Sequence, residues 1–334
     1  MNHADELPLV TVITPAYNRA SFIGEVIESV LNQDYPNIEY IVLDDGSTDE
    51  TLDIIKKYDG KIRWETHSNM GETHTVNKGF AMANGDIIGV VNSDDPLLPG
   101  AISTIVAHLV AQPDILVAYP DWVVVDEDGR TIKHYTTYDY KYTDMLRWHY
   151  CVPGPGTFFR RTVVEKLGGR DPNFRLVGDF DFWLRAGLLG PFTRVPATLA
   201  TFRYHPESYS ISQVGQAMAE EHIRLTDKIF AIPNLPTEVR KVRREAYSST
   251  YYVAGAVCGA NAPPRIKGRY FLLALWYAPH KYLFEYRERR LIIVPFLLGP
   301  SFLGRFYYPL RHPVRFTFYR LRRAARQLLS NKWS

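Results

Sequence analysis

The feature that most constrains this chain is the regular alternation of short apolar runs and helical patterns over its first 120 residues. The runs are rich in β-branched residues, and the segments between them repeat apolar residues at helical spacing. The runs predict strands over residues 9–14, 38–43, 62–65, 87–91 and 115–119, with a helix in each interval. Strands that are apolar on both faces need helices on both faces, so the alternation predicts an α/β fold with a mostly parallel sheet.

The later sequence is less regular but still patterned. Ser47 and Glu50 have the spacing of a capping box, which predicts a helix that begins beside Ser47. After residue 120 we expect a hairpin around Asp128-Gly129, a loop at 154–156, a short helix over 179–188 and helices over 213–277 with breaks near the paired prolines. These patterns divide the chain into an α/β domain over 1–210, a helical extension over 211–279 and a tail over 280–334.

Charge is unevenly distributed along the chain. The formal net charge is +3, but residues 280–334 hold twelve Lys or Arg and two Glu, a charge of +10, which leaves −7 for residues 1–279. Basic and aromatic residues interleave in this tail, which favours an in-plane anchor on an anionic membrane surface. A solvated basic helix packed on the folded body is the alternative. Nucleic acid is not expected as a partner, because no nucleic-acid-binding motif accompanies the charge.

Location follows from what the sequence contains. Residues 1–8 show no apolar signal-peptide core, and the chain has only 2 cysteines, which is typical of a cytoplasmic protein. The uncharged run over 291–304 contains two prolines and is shorter than the roughly 20 residues of a spanning helix. We therefore expect a cytoplasmic protein, peripheral on the inner face of the cell membrane.

Two pairs of acids follow predicted strands. Asp44 and Asp45 end the second strand, and Asp94 and Asp95 follow the fourth. Ligands bind at the carboxyl ends of parallel strands, and clustered carboxylates suit Mg²⁺ or Mn²⁺. The alternative is that these residues are only turn formers. The sequence contains neither GxGxxG after the first strand nor GxxxxGK[ST], which argues against a dinucleotide-dependent dehydrogenase and a P-loop NTPase.

At these residues the sequence resembles family 2 glycosyltransferases of the GT-A fold. The segments that carry the resemblance are Thr14–Arg19 (TPAYNR), Asp44–Thr51 (DDGSTDET), Asn69–Gly71 with Asn77–Gly79, and Asn92–Asp95 (NSDD). Later segments extend it over about residues 8–210: 154–159, 178–185 and 202–206 with Ser208 and Ser210. The resemblance implies a GT-A, Rossmann-like sheet flanked by helices, here followed by an α-helical basic extension.

The resemblance also implies roles for single residues. The nucleotide-sugar donor would be bound by Pro15, Tyr17, Asn18, Arg19, Asp44, Asp45, Gly46, Asn69, Gly71, Asn77, Asn92 and Ser93, with Asp44 the better candidate for a contact to uracil. Asp94 would bind the metal, with Asp95 beside it and His205 as a further contact. Asp179 would be the general base and Asp181 the second choice. The acceptor side would comprise Gly156, Thr157, Trp183 and Arg185.

Several of these assignments have a simpler structural alternative. Asp181 is equally typical of an exposed or helix-capping acid, and His205 of a satisfied histidine. Trp183, like Trp122 and Trp148, suits sugar stacking but more often packs in a core. Two positions depart from the family: Asn92 stands where Asp is usual, and Val76 precedes Asn77 where Arg is usual, with Lys78 as a conceivable replacement.

The implied chemistry is an inverting, metal-dependent sugar transfer of the hexosyltransferase type. A positioned carboxylate would take the proton of an acceptor hydroxyl, and Mg²⁺ or Mn²⁺ would stabilise the leaving diphosphate. We expect a nucleotide-sugar donor, a UDP-sugar first, and a glycan or lipid-linked saccharide acceptor in cell-surface polysaccharide synthesis. The alternative is a non-catalytic sugar-nucleotide or membrane-binding module that retains the fold.

Overall fold

The alternating pattern folds into one eight-stranded sheet in the computed structural model, which describes residues 7–205, 208, 215–258 and 262–281. The strands are β1 (Val10–Ala16), β2 (Ile38–Asp44), β3 (Arg63–Thr66), β4 (Ile87–Val90), β5 (Val117–Val125), β6 (Thr131–Tyr135), β7 (Phe158–Arg160) and β8 (Phe192–Arg203). The helices up to residue 205 are α1 (Ile23–Leu31), α2 (Thr51–Lys56), α3 (Glu72–Met82), α4 (Ala101–Ala111), α5 (Tyr142–Trp148), α6 (Thr162–Leu167) and α7 (Gly178–Ala186).

The sheet is mixed, with the order β3-β2-β1-β4-β7-β5-β6 and with β8 paired to β5. Strands β1 to β4 are parallel, and β5 is parallel to β8. Strand β7 runs antiparallel between β4 and β5, so the fifth predicted strand is not the direct neighbour of the fourth. The predicted hairpin is present as β5 and β6, and its first arm is continuous with the predicted fifth strand.

Each face of the sheet is covered by its own apolar cluster. Val10 and Val12 of β1 pack with residues of α1 and α4, such as Val26 and Ile105. Ile13 points to the other face and packs with residues of α3 and α7. Alternate residues of one strand therefore enter two cores, which explains why the strand reads as continuously apolar.

The predicted capping box is wrong. Helix α2 begins at Thr51, and Glu50 precedes it without a side-chain cap. The hydroxyl of Ser47 instead accepts the backbone N–H of Asn18 at 3.0 Å. Ser47 thus joins the loop after β2 to the loop after β1, a long-range contact that local spacing does not reveal.

The predicted helical region is present as α8 (Gln216–Ala231), α9 (Thr237–Lys241), α10 (Arg243–Val257) and α11 (Pro264–Tyr277). Leu225, Ile229 and Ala246 from these helices lie in the same apolar cluster as Ile13 of β1. Residues 1–278 cluster as one compact unit, which includes residue 210, and the predicted division into an α/β domain, a helical extension and a tail stays a prediction.

The basic tail predicted over 280–334 lies outside the described residues except for its first two. Pro206 and Ser210 of the resembling segment also lie outside them. Within the described part of the chain, no helix combines the length and the apolar character that crossing a membrane requires.

Candidate active site

The loops after β1 and β2 are bonded to each other at the carboxyl edge of the sheet. Asn18 has a positive φ of 51°, and its carboxamide oxygen accepts the backbone N–H of Thr48 at 2.8 Å. Asn18 therefore fixes the shape of the loop with its own side chain. Next to it, Tyr17 is exposed on the same loop, whereas Pro15 is buried within β1 opposite Leu43.

The two acids that end β2 hold backbone segments in place. The carboxylate of Asp44 accepts the hydroxyl of Thr66 at 2.6 Å and the backbone N–H of Ser47 at 3.2 Å. The carboxylate of Asp45 accepts the N–H groups of Met70 at 2.7 Å and Gly71 at 2.9 Å. Both side chains are buried. Asp45 thus fixes the start of α3, while the contact of Asp44 to a nucleotide base stays a prediction.

Glycine is required at Gly46 between these acids and the next loop. Its φ is +73°, and a β-carbon there would stand 2.8 Å from the backbone nitrogen of Asn69. Backbone cannot move aside as a flexible side chain does. The loop that carries the exposed Asn69 therefore packs directly against the backbone of Gly46, just after β2.

Asp94, His205 and Arg19 meet after β4. One carboxylate oxygen of Asp94, Oδ2, lies 3.0 Å from Nε2 of His205 and 3.5 Å from Nε of Arg19. The side chain of Asp94 is 13% exposed, and that of His205 is 2% exposed. The ring of His205 packs against Phe22 at 4.7 Å between centroids. The structure thus brings the two predicted metal contacts, Asp94 and His205, together with Arg19, which was predicted to bind the donor.

Asp95 points into the protein. Its carboxylate accepts the backbone N–H of Arg203 at 2.7 Å and the amide of Asn92 at 3.0 Å. Burial and the neighbouring Asp94 raise its pKa to about 8. The prediction that Asp95 is a metal ligand is therefore replaced by a supporting role. Asn92, at the position of the departure from the family, is exposed and hydrogen-bonds Asp95, while Ser93 is buried beside it.

Arg203 holds the candidate site together, although no role was predicted for it. It is 2% exposed, and its guanidinium donates to the carbonyl oxygen of Asp94 at 3.0 Å and to the carboxylate of Glu25 at 2.5 Å. It therefore ties the end of β8, which leads to His205, to the Asp94 loop. Arg203 lies in segment 202–206, which is one of the segments that carry the family resemblance, so its position indicates a role.

The donor set suits a divalent cation only in combination with a substrate. Within residues 7–205, 208, 215–258 and 262–281, no three or more His, Cys, Asp or Glu side chains converge as a metal site. Asp94 and His205 do converge, and Mg²⁺ is commonly held by one or two carboxylates together with substrate phosphates. Asp94 and His205 therefore fit as the protein part of such a site.

Asp179 and Asp181 lie in different environments on α7. Asp179 is exposed, and its carboxylate accepts the N–H of Phe180 at 2.7 Å. Asp181 is fully buried and accepts from Nε of Arg185 at 2.7 Å and Nζ of Lys228 at 2.5 Å. Because Asp181 is buried and bonded to both Arg185 and Lys228, it is neither accessible as the second base nor the exposed acid of the alternative.

Helix α3 links the loop after β2 to the segment that precedes α7. Gly71, the residue before α3, is bonded to Asp45. Thr73, in the first turn of α3, donates its hydroxyl to the carbonyl oxygen of Phe174 at 3.1 Å. Burial raises the pKa of Cys151, and the nearby carboxylate of Asp179 raises it further. The role of Asp179 as the general base stays a prediction.

Three assignments on the acceptor side are corrected. The hydroxyl of Thr157 donates to the carbonyl of Gly154 at 2.6 Å and closes its own loop. Trp183 is buried and contacts Phe159, Phe182 and Phe192, so its ring is a core ring.

Arg185 is engaged by Asp181 and by the carbonyl of Gly169 at 2.9 Å, so its guanidinium holds the protein together. Gly156 lies in the predicted loop and must be glycine. Its φ is +73°, and a β-carbon added there would stand 2.7 Å from Cβ of Ala200.

Asn77 also has a structural role instead of the predicted contact with the donor. Its amide donates to the carbonyl of Arg170 and its carboxamide oxygen accepts the N–H of Arg170, both at 2.8 Å. Lys78, the conceivable replacement for a basic donor contact, pairs with Glu65 on the surface at 2.8 Å. The side-chain amide of Asn77 thus donates to and accepts from the backbone of the loop before α7 and holds that loop in place.

Comparisons with known proteins agree with this geometry. The family model described as glycosyl transferase family 2 matches residues 11–168. The hyaluronan synthase of Pasteurella multocida is 26% identical over 220 residues, which are 64% of this chain and 22% of that protein. An uncharacterized glycosyltransferase of Haemophilus influenzae is 26% identical over 267 residues, 75% of this chain and 82% of its own length.

Solved structures share the fold. TarS of S. aureus in complex with UDP-GlcNAc has a TM-score of 0.58 at 18% identity and covers 86% of this chain and 79% of its own. The mannosyltransferase PcManGT from Pyrobaculum calidifontis, in complex with GDP-Man and Mn²⁺, has a TM-score of 0.55 at 16% identity, with coverage of 91% and 89%. Residues 11–168 thus form a glycosyl transferase family 2 domain, and this domain, the glycosyltransferase relatives and the shared fold identify the chain as a transferase enzyme.

Proposed function

We propose that the chain transfers a sugar from a nucleotide-sugar to a hydroxyl of a glycan or lipid-linked acceptor, with inversion at the anomeric carbon and with a divalent cation. The observation that carries the proposal is the division of the candidate acids between those buried in structural bonds and those left accessible. Asp45, Asp95 and Asp181 are buried in structural bonds. Asp94, beside His205, and the exposed Asp179 are left for chemistry.

The donor end is the group formed by Asp94, His205 and Arg19. Asp94 and His205 would hold Mg²⁺ or Mn²⁺, which supplies positive charge to the diphosphate that leaves. Arg19, whose Nε lies 3.5 Å from Asp94, adds a fixed cation at the same place. Neighbours solved with UDP-GlcNAc and with GDP-Man and Mn²⁺ support a nucleotide-sugar donor, and we propose a UDP-sugar first.

The acceptor end is Asp179. Its carboxylate accepts the proton of the acceptor hydroxyl as the hydroxyl oxygen forms a bond to the anomeric carbon. The bond from that carbon to the diphosphate oxygen breaks on the opposite face, and the electron pair leaves with the diphosphate. Asp179 is exposed, and its carboxylate lies near the thiol of Cys151, whose pKa is raised by burial, which supports a partly desolvated surrounding for the proposed base.

The pathway is proposed from relatives and charge. Hyaluronan and chondroitin synthases are among the similar proteins, which supports an acceptor in polysaccharide synthesis. The charge of +10 over residues 280–334 supports a peripheral position on an anionic membrane surface, where lipid-linked acceptors are found.

Donor hydrolysis tests the proposal without knowledge of the acceptor. Purified chain is incubated with Mn²⁺ and a panel of UDP- and GDP-sugars, and release of nucleoside diphosphate is measured. We expect Asp94→Ala to lose about 10²-fold or more of the activity. Asp53→Ala is the matched control, since Asp53 is an exposed acid of α2 that pairs with neighbouring Lys56 on the surface. Wild-type chain no more active than Asp94→Ala would refute the proposal.

A further inference from the structure

Helix α11 presents an apolar and arginine-bearing face to the outside. Arg265, Arg269, Leu272 and Trp276 follow the spacing of one helix face, and Leu273 and Gly268 line the same surface. Leu272 is 55% exposed and Trp276 is 69% exposed. We call these six residues the α11 stripe. Large apolar side chains clustered on one exposed face are typical of an interaction site.

The inner side of α11 is fixed against the enzyme. Phe271 and Ala274 are buried, and the hydroxyl of Ser248 donates to the carbonyl of Ala274 at 2.7 Å. Gly255 of α10 lies so close to Phe271 that a β-carbon would stand 2.6 Å from the ring. The ring of Tyr247 stacks on Tyr277 at 5.2 Å. The α11 stripe is therefore carried by a packed helix with a fixed orientation.

The charge of α11 has one sign. The helix contains Arg265, Lys267 and Arg269 and no acid, and residues 280–334 that follow carry +10. The tail of the same chain and the same stripe of a second copy are thus both cationic, and like charges disfavour either as occupant. The fitting occupant is anionic and accepts apolar side chains as well.

We propose that the α11 stripe docks on an anionic lipid bilayer. Arg265 and Arg269 extend their charged ends to lipid phosphates while their stems cover apolar surface. Leu272 and Trp276 enter the boundary between headgroups and acyl chains, where an indole is well accommodated. This proposal rests on the anionic membrane surface proposed above, but it assigns the contact to the enzyme's folded unit and not to residues 280–334 alone.

Vesicle binding by the full chain tests the docking. Cosedimentation is measured with phosphatidylcholine vesicles that contain phosphatidylglycerol and with phosphatidylcholine alone. The double variant Leu272→Glu with Trp276→Glu is expected to bind the anionic vesicles about tenfold or more weakly than wild type. The matched control is Val110→Glu with Ile132→Glu, because these two apolar residues are 56% and 54% exposed on α4 and β6. The control is expected to bind like wild type.

Further readouts separate this proposal from its alternatives. A second variant replaces four arginines of the tail by Ser: Arg320, Arg322, Arg323 and Arg326. The docking would be overturned if the stripe variant bound anionic vesicles like wild type while the tail variant lost binding. The tail would then be the anchor. A stripe variant that changes the molar mass by light scattering but not vesicle binding would assign the stripe to a second copy.

Donor hydrolysis without vesicles is expected to be equal in wild type and stripe variant, and thermal melting confirms that both fold. Absent hydrolysis in every variant would refute the sugar transfer while leaving the vesicle result intact.

Discussion

At the scale of single residues, Asp179 and Asp181 show how position on a helix decides chemistry. Two residues correspond to about 200° of rotation on an α-helix, so the side chains point to opposite sides of α7. One is exposed at the site and the other is fully buried between Arg185 and Lys228. The same residue type therefore serves as a candidate base and as the centre of an ion-pair network.

Substitution of the two acids is expected to change different properties: the turnover rate for Asp179 and the stability for Asp181. Asp179→Asn should lower kcat by about 10²- to 10⁴-fold, because the amide cannot accept the acceptor's proton, and should leave the melting temperature nearly unchanged. Asp181→Asn should lower the free energy of unfolding by about 3 kcal/mol, because it removes the buried charge that the partly buried Arg185 and Lys228 both bond. Steady-state kinetics and chemical denaturation measure the two effects. A normal kcat in Asp179→Asn would contradict its role as base.

At the scale of elements, α8 holds the segment that leads into α7. The carboxylate of Glu221 accepts three successive backbone N–H groups, from Arg175 at 3.2 Å, Leu176 at 2.7 Å and Val177 at 3.2 Å. It is 6% exposed. Asp179 follows two residues later, so a helix outside the α/β segment fixes the backbone that aims the proposed base.

We expect Glu221→Ala to lower kcat about tenfold or more with a small change in the KM for donor, since the donor loops do not contact it. Glu221→Gln keeps one carbonyl oxygen as acceptor and should recover part of the loss. The matched control is Glu220→Ala, because Glu220 is the exposed neighbour on the same helix. Equal kinetics of Glu221→Ala and wild type would show that the segment holds its shape without this carboxylate.

Helix α8 also carries a half-buried histidine whose titration is linked to folding. Nδ1 of His222 lies 2.9 Å from Nε2 of His149, and burial lowers the pKa of His222 to about 4. Between pH 6.5 and 4 the unfolded chain binds a proton there that the folded chain does not, so stability falls as pH falls through this window.

The expected contribution is about 3 kcal/mol across the window, measured as the pH dependence of the free energy of unfolding. His222→Asn should flatten this dependence, because its side chain does not titrate. His108→Asn is the comparison, since His108 is a partly buried histidine of α4 far along the chain from α8. An identical slope in wild type and His222→Asn would exclude His222 as its source.

At the scale of the whole molecule, the helical region after the sheet belongs to the enzyme's core. Leu225 and Ile229 are fully buried in the cluster that contains Ile13 and Phe159. Lys228 reaches Asp181 and Asp171 from the same helix. The α/β segment therefore has an apolar surface that α8 to α10 cover.

A chain that ends at residue 210 is expected to lose cooperative folding. Full burial of one Leu or Ile side chain contributes about 1.5–3 kcal/mol, so loss of several exceeds the 5–15 kcal/mol by which domains are usually stable. Thermal melting followed by circular dichroism checks this, with the full chain as reference. A sharp transition in the shortened chain would show that residues 1–210 form an independent domain after all.

The sequence by itself determined the order of strands and helices, the loops that meet at the carboxyl edge, and the acids among which the catalytic groups lie. Alternation of β-branched runs and helical patterns is a local property, and the loops after β1, β2 and β4 follow from it because parallel strands end at one edge. The family segments added roles to Asp94, His205 and Asp179; the structure brings Asp94 and His205 together and leaves Asp179 exposed.

Only the tertiary structure decided which polar side chains are occupied. Asp181 meets Lys228, Asn77 meets Arg170 and Asp95 meets Arg203, pairs that are 47, 93 and 108 residues apart. The insertion of β7 between β4 and β5 is decided in the same way, by pairing across the chain. The sequence around a carboxylate or amide is the same whether its side chain bonds protein or substrate. The bonding partners are distant in the chain, and only folding brings them near.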